Sequence, residues 1–299
     1  MQFKLEKNRI ILGYFFAMGA TALWSGNFII ARGLNDSIPP ISLAFWRWVV
    51  AIIVLLPFAL KPLITERKIL KENIPYLSLT ALLGITTFNT LIYFAGHTTT
   101  AINLSLISIT FPIFVVILSR IFFGELITMN KAFGIILVMA GVVLLITEGS
   151  LSKILGISFA IGDLWMLLAA IIFAVYSILL KRKPEKLSIW ALQLSTFILG
   201  LIFLFPFFLW EYSTALPVIF TGRTLISIFY VGVFASLTAF ILWNKAIVMV
   251  GPSKAGMIYY TLPLFSGLLA YFFLNEDISF IHLYSVLLIV PGIFTANLE

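Results

Sequence analysis

Long apolar runs separated by a few polar or turn residues fill this chain from end to end. A helix needs about 20 mainly apolar residues to cross a bilayer. Splitting the runs at turn and charge signals predicts ten spans, at 10 to 31, 40 to 60, 74 to 95, 99 to 122, 130 to 147, 160 to 181, 188 to 209, 224 to 248, 252 to 274 and 279 to 297. Pro39-Pro40, Pro75, Pro184 and Gly251-Pro252 punctuate span starts, while Lys61-Pro62 and Asn275-Glu276-Asp277 mark span ends. The pattern predicts an all-α polytopic membrane protein without a soluble domain.

The punctuation repeats. Pro112, Glu125 and Gly141 recur as Pro263, Glu276 and Gly292, each 151 residues later. Two five-helix units are therefore expected, over 1–150 and 151–299. An odd number of spans per unit turns the second copy upside down, and inverted pairs are a recurrent way to build a carrier.

Composition sharpens this reading. Hydrophobic residues make up 62% of the chain and charged ones 10%, far from the roughly one quarter of charged residues in soluble domains. The net charge of +7 comes from short basic clusters between apolar runs, which argues against nucleic acid as a partner. With no cysteine, disulfides, thiolate metal sites and cysteine nucleophiles are excluded. The basic, then apolar start (Lys4, Lys7, Arg9) contains Trp24 and Asn27 and no small-residue cleavage site, so it reads as a retained first helix.

Charge also sets the expected orientation. With the N-terminus inside, fifteen Lys and Arg fall on the cytoplasmic side and only Arg32, Lys153 and Arg223 outside, the bias that cytoplasmic loops carry. Both termini are expected in the cytoplasm, with the chain in the inner membrane.

The order of short motifs resembles the drug/metabolite transporter superfamily, in particular the ten-helix EamA-type family. The resemblance rests on Trp24-Ser25-Gly26-Asn27-Phe28, Phe45-Trp46-Arg47, Pro112 to Gly124-Glu125, Gly134 and Gly141, Gly162-Asp163 to Ala174-Val175-Tyr176-Ser177, Tyr230-Val231-Gly232-Val233 to Leu242-Trp243, and Gly251-Pro252-Ser253-Lys254-Ala255 to Pro263 and Glu276. It covers nearly the whole chain. It implies a membrane carrier of small metabolites, similar to the YddG-type amino-acid exporters, and it does not imply one substrate.

Polar groups in the middle of a span should face a cavity or another helix, which selects the candidates. Trp24 and Asn27 share a helical face and either line a cavity or pack as an aromatic beside an interhelical amide; their counterparts at an offset of 149 are Phe173 and Tyr176. Asn89 and Tyr93 share another face, with Phe240 and Asn244 as counterparts at 151 and Trp243 alongside. Tyr93 and Trp243 could alternatively anchor at the interface. Asn103, Tyr259 and Tyr260 complete the expected substrate-binding set, which suits an amphipathic solute, whereas Ser105 and Ser108 read as helix glue. Pro112 and Pro263 should kink their helices and free a carbonyl about four residues earlier, either as bending points or as static kinks. Gly134, Gly141, Ser285 and Gly292 read as close helix packing or a homodimer surface.

Arg47 is the strongly basic residue well inside a span. Seven residues past Pro40, it lies roughly 10 Å below the outer end and needs a carboxylate, carbonyls or water. The expected partner is Asp163, in a structural ion pair that locks the halves; the functional alternative is a substrate carboxylate. Glu125 and Glu276 are expected to cap helices or pair with loop bases.

No acidic residue sits at mid-membrane as a proton relay, and no phosphate-binding loop is present, so no cofactor is expected and ATP is not hydrolysed by this chain. A helical His-Glu-x-x-His is absent, and His97 and His282 stand far apart, which argues against an intramembrane enzyme. A signalling or scaffold protein would expose soluble surface. The leading expectation is a secondary transporter of neutral or aromatic amino acids, with importers or exporters of nucleosides, vitamins or drugs as the alternative.

Overall fold

The computed structural model describes residues 2–34, 37–99, 101–150, 152, 155, 160–215, 218–274 and 280–298; the side chains of residues 2–7, 28–29, 31–33, 101–103, 105, 270 and 273–274 also lie outside that description. The described chain is helical: α1 (Gln2–Gly33), α2 (Pro40–Thr65), α3 (Ile74–Thr98), α4 (Ala101–Ser108), α5 (Phe111–Phe123), α6 (Met129–Thr147), α7 (Ile161–Lys181), α8 (Ile189–Thr214), α9 (Gly222–Val250), α10 (Pro252–Tyr259), α11 (Leu262–Leu274) and α12 (Phe280–Ala296). Among the described residues seven helical stretches are long and apolar enough to cross a membrane, and α12 is a shorter apolar helix.

Two kinds of interruption recur at the interval read from the sequence. The helix breaks between α4 and α5 at Ile109-Thr110 and between α10 and α11 at Tyr260-Thr261, 151 residues apart. Thr110 N bonds back to Ile107 O at 3.0 Å, and Thr261 N to Ile258 O at 3.0 Å, so each break is a tightened turn. Pro112 and Pro263 follow it in the first turn of the next helix, where a missing N–H costs nothing. Inside α3 and α9 the backbone widens into π-helix over Leu82–Thr87 and Val231–Thr238; the two segments end 151 residues apart. Hydroxyls reach back five residues to hold the wider turn, Ser236 Oγ to Val231 O at 2.8 Å and Thr238 Oγ1 to Val233 O at 2.9 Å.

The main helix contacts join residues before position 150 to residues after it. α1 lies along α9 and α7 along α3, α1 meets α11 and α7 meets α5, while α2 packs on α8 and α6 on α12. The α2·α8 pair runs antiparallel with mutual capping. Glu211, near the end of α8, accepts from Ile41 N (3.0 Å), Ser42 N (2.6 Å) and Ser42 Oγ (2.8 Å) at the start of α2. Glu66, just past the end of α2, accepts from Ser188 N at the start of α8 (2.8 Å). The α6·α12 pair is also antiparallel, and a Cβ on Gly134 would stand 2.5 Å from Gly292 O, one on Gly141 3.1 Å from Ser285 O. These small residues are thus used inside the chain for close packing rather than left free as a dimer surface.

Candidate functional site

The helix pairs converge on a buried polar and aromatic centre. On its first-half side, α2 brings in Arg47, fully buried at 0% exposure. Arg47 Nη1 donates to Asn89 Oδ1 (2.7 Å) and to Tyr93 OH (2.5 Å), both on α3, and Nε donates to Ser236 Oγ on α9 (2.5 Å). Tyr93 OH passes the chain on to Asn27 Oδ1 of α1 (3.1 Å). The guanidinium also lies 5.0 Å from the Trp48 ring centroid and 5.6 Å from that of Tyr93, within cation–π range.

The second half repeats the arrangement with its chemistry altered. Tyr176 OH of α7 donates to Asn244 Oδ1 of α9 at 3.1 Å, the same tyrosine–asparagine bond with the two residue types exchanged between helices. Asn244 Nδ2 donates to Gln193 Oε1 of α8 (2.6 Å), so Gln193 holds the place on α8 that Arg47 holds on α2. Among the described residues five side-chain polar atoms are buried without a partner, including Arg47 Nη2, Gln193 Nε2 and Tyr260 OH.

The π segments serve this centre. A widened turn leaves carbonyls off the regular ladder, and two tryptophans take them: Trp48 Nε1 donates to Ile85 O (3.1 Å) and Trp24 Nε1 to Ala235 O (2.9 Å). Asn89 Nδ2 takes Gly84 O at 3.3 Å. Gly84 is glycine because the Tyr176 ring fills its Cβ position, 2.3 Å from where that carbon would be. Around the network lies an aromatic cluster. Trp24 packs 5.3 Å from Phe173 and from Trp243, Phe88 stacks on Phe173 at 4.2 Å, and Tyr259 meets Phe111 at 4.8 Å and Trp24 at 6.3 Å.

Of the expected substrate-binding residues, Trp24, Asn27, Asn89, Tyr93, Tyr176, Trp243, Asn244, Tyr259 and Tyr260 are all buried in the protein interior. The side chain of Asn103 lies outside the described residues. Tyr93 and Trp243 are not interfacial anchors: both are enclosed, with Trp243 Nε1 bonded to Ser177 Oγ at 3.2 Å. The ion pair between Arg47 and Asp163 is a misreading. Arg47 bonds to neutral groups, and Asp163 instead caps its own helix, accepting from Ala160 N (2.8 Å) and from Thr99 Oγ1 (2.5 Å). Depth alone had suggested the pairing, and the first-turn position of Asp163 was the signal for capping. Glu125 pairs with Lys181 at 3.0 Å, as a loop base would; Glu276 lies outside the described residues. Sequence reasoning missed Gln193, Ser236 and Trp48. Gln193 was findable as an amide well inside an apolar run, whereas Ser236 and Trp48 look like ordinary span residues.

Two cavities open at the end that carries Lys181, and no described residue of the buried centre lines either one. One of about 490 Å³ is lined by Glu125, Lys131, Lys254 and Asn297, and one of about 550 Å³ by Arg9, Lys181, Lys183, Glu185 and Gly251. Burial holds the Lys183 ammonium below the ordinary lysine range, against the opposing pull of Glu66 and Glu185. A third, apolar cavity of about 420 Å³ lies among α6, α11 and α12, with Thr261, Phe265 and His282 in its wall.

Broken and widened helices around a buried polar centre, in a chain this apolar, define an integral membrane protein of the solute-carrier kind. The EamA-like transporter family profile matches twice, over residues 11–147 and 160–298, and the chain belongs to that family. It is 29% identical over 276 residues to a protein of Archaeoglobus fulgidus described as an uncharacterized transporter, covering 91% of this chain and 92% of that one. It is 25% identical to the uncharacterized transporter YyaM of Bacillus subtilis, covering 95% and 93%. A solved crystal structure superposes with a TM-score of 0.76 over 95% of this chain and 96% of that one, at 19% identity, a likeness of fold. The family and these relatives are transporters, not enzymes.

Proposed function

We propose that this protein is a secondary carrier that exports small metabolites, foremost neutral or aromatic amino acids, by alternating access across the inner membrane. Its ten spans form two inverted five-helix halves, 1–150 and 151–299, with both termini in the cytoplasm. Mutual capping of antiparallel α2 and α8 supports the inversion, since a pair related by a two-fold axis in the membrane plane must run in opposite directions.

The observation that carries the reading is the doubled tyrosine–asparagine bond, Tyr93 to Asn27 and Tyr176 to Asn244, both 3.1 Å. It sets matched hydrogen-bonding sites on both sides of an aromatic core, suited to an amphipathic solute. Trp24, Asn27, Asn89, Tyr93, Tyr176, Trp243, Asn244, Tyr259 and Tyr260 form the substrate surface, and Pro112 and Pro263 are the bending points. A second reading, export of lipophilic compounds, draws on the apolar cavity beside α11 and α12.

Counterflow into proteoliposomes preloaded with single amino acids tests the carrier reading. Accumulation of labelled phenylalanine or threonine, competed by other neutral amino acids, is expected. Strong uptake of a polyphosphate in its place would overturn it.

A further inference from the structure

The guanidinium of Arg47 is a permanent charge enclosed in the protein interior, and its three bonds all end on neutral oxygens, those of Asn89, Tyr93 and Ser236. Among the described residues its Nη2, with two N–H donors, has no partner, and it has no exposed surface. A buried charge without a countercharge is expensive, and a buried donor left unmade adds to that cost. The bonds at Nε and Nη1, with the Trp48 and Tyr93 rings, nevertheless hold the guanidinium plane fixed. An arginine fixed on two nitrogens with the third left over is built to receive something.

The planar fork narrows what that is. Nη2 shares one edge of the guanidinium with Nε, and such an edge matches the two oxygens of a carboxylate. Nε is occupied by Ser236 Oγ, which comes from α9 in the other half of the chain. A bidentate carboxylate would therefore displace the hydroxyl that ties α2 to α9. The equivalent place on α8 holds Gln193, whose free Nε2 is a neutral donor, so the two halves together offer one full positive charge.

We infer that Arg47 is the docking point for a single carboxylate on the transported solute, and that this carboxylate replaces Ser236 on the Nε/Nη2 edge and so loosens the bond between the halves. The inference rests on the carrier reading and narrows it to monocarboxylates, including zwitterionic amino acids, over neutral drugs or nucleosides.

Thermal stabilisation of the purified full chain in detergent tests binding apart from transport. The probes are phenylalanine, phenylacetate and threonine, each against its carboxamide at equal concentration. The wild type should be stabilised by the acids and not by the carboxamides. Arg47→Gln should weaken acid binding by at least about tenfold, the loss expected for a hydrogen bond to a charged group. Ser236→Ala, which removes the competing hydroxyl, should bind the acids at least as tightly as the wild type. Should Arg47→Gln misfold, the acid-against-carboxamide comparison in the wild type and the Ser236→Ala result still decide. Equal stabilisation by acids and carboxamides, or none by any acid, overturns the inference. Acid binding lost in Arg47→Gln without counterflow in the wild type would sustain the site and remove the carrier reading; counterflow with acids and carboxamides alike would do the reverse.

Discussion

Removing Glu211 should destabilise the start of α2 far more than removing Glu66 destabilises the start of α8. The first turn of a helix leaves backbone donors unsatisfied. In α2 the first residue, Pro40, has no N–H, and the next two, Ile41 and Ser42, both donate to Glu211. Glu211 is buried at 5% exposure, so Glu211→Ala strands two backbone donors at about 1–3 kcal/mol each, giving a loss of about 2–6 kcal/mol. Glu66 accepts one bond and is partly exposed, so Glu66→Ala should lose about 1 kcal/mol or less, within the range for a helix N-cap. Glu211→Gln, which keeps one acceptor oxygen, should fall between. Thermal unfolding followed by tryptophan fluorescence gives the ranking, and hydrogen exchange of a peptide spanning residues 38–46 gives the location. Equal stability of the two alanine variants, with unchanged exchange at Ile41 and Ser42, would refute the reasoning.

Other expectations follow from the same contacts. Pro112→Ala and Pro263→Ala should change turnover more than solute affinity, because they release the fixed φ that holds the matched helix breaks; equal loss of both with poor expression would point to folding. Gly134→Ala should cost about 1–3 kcal/mol by forcing α6 off the backbone of α12, whereas Gly222→Ala, with nothing within 4 Å of its Cβ position, should be close to neutral in a thermal melt. Lys181→Glu should alter transport rate with little effect on stability, since the pair with Glu125 is partly exposed. The charge-swapped double variant should recover the rate, and failure to recover would deny the pair a role at this end.

Much of the architecture was legible because it is written in period and punctuation. The 151-residue interval, read from Pro112 and Pro263, also separates the helix breaks at Thr110 and Thr261 and the ends of the π segments at Thr87 and Thr238. The burial of the interior amides and tyrosines was legible too, because such a group inside an apolar span has few places to go. The partners were not. Arg47 meets Ser236 across 189 residues and Glu211 meets Ile41 across 170, and nothing local to either end announces the other. The π segments escaped notice because Gly84, Thr86, Gly232 and Ser236 read as ordinary small residues, although their clustering near mid-span is the trace a widened, hydroxyl-stapled turn leaves.

The central claim is that the two halves rock about the buried centre, opening one end as the other closes. The chain contains no cysteine, so paired spin labels can be placed without background. One pair, at Leu126 and Lys186, reports the end where Lys181 pairs with Glu125. The other, at Ser37 and Phe220, reports the end where Ile219 N donates to Ser37 O at 3.1 Å. In lipid nanodiscs, addition of a transported amino acid should shift the two distance distributions in opposite directions. Unchanged distances at both ends, in a protein that carries the same solute in proteoliposomes, would contradict alternating access.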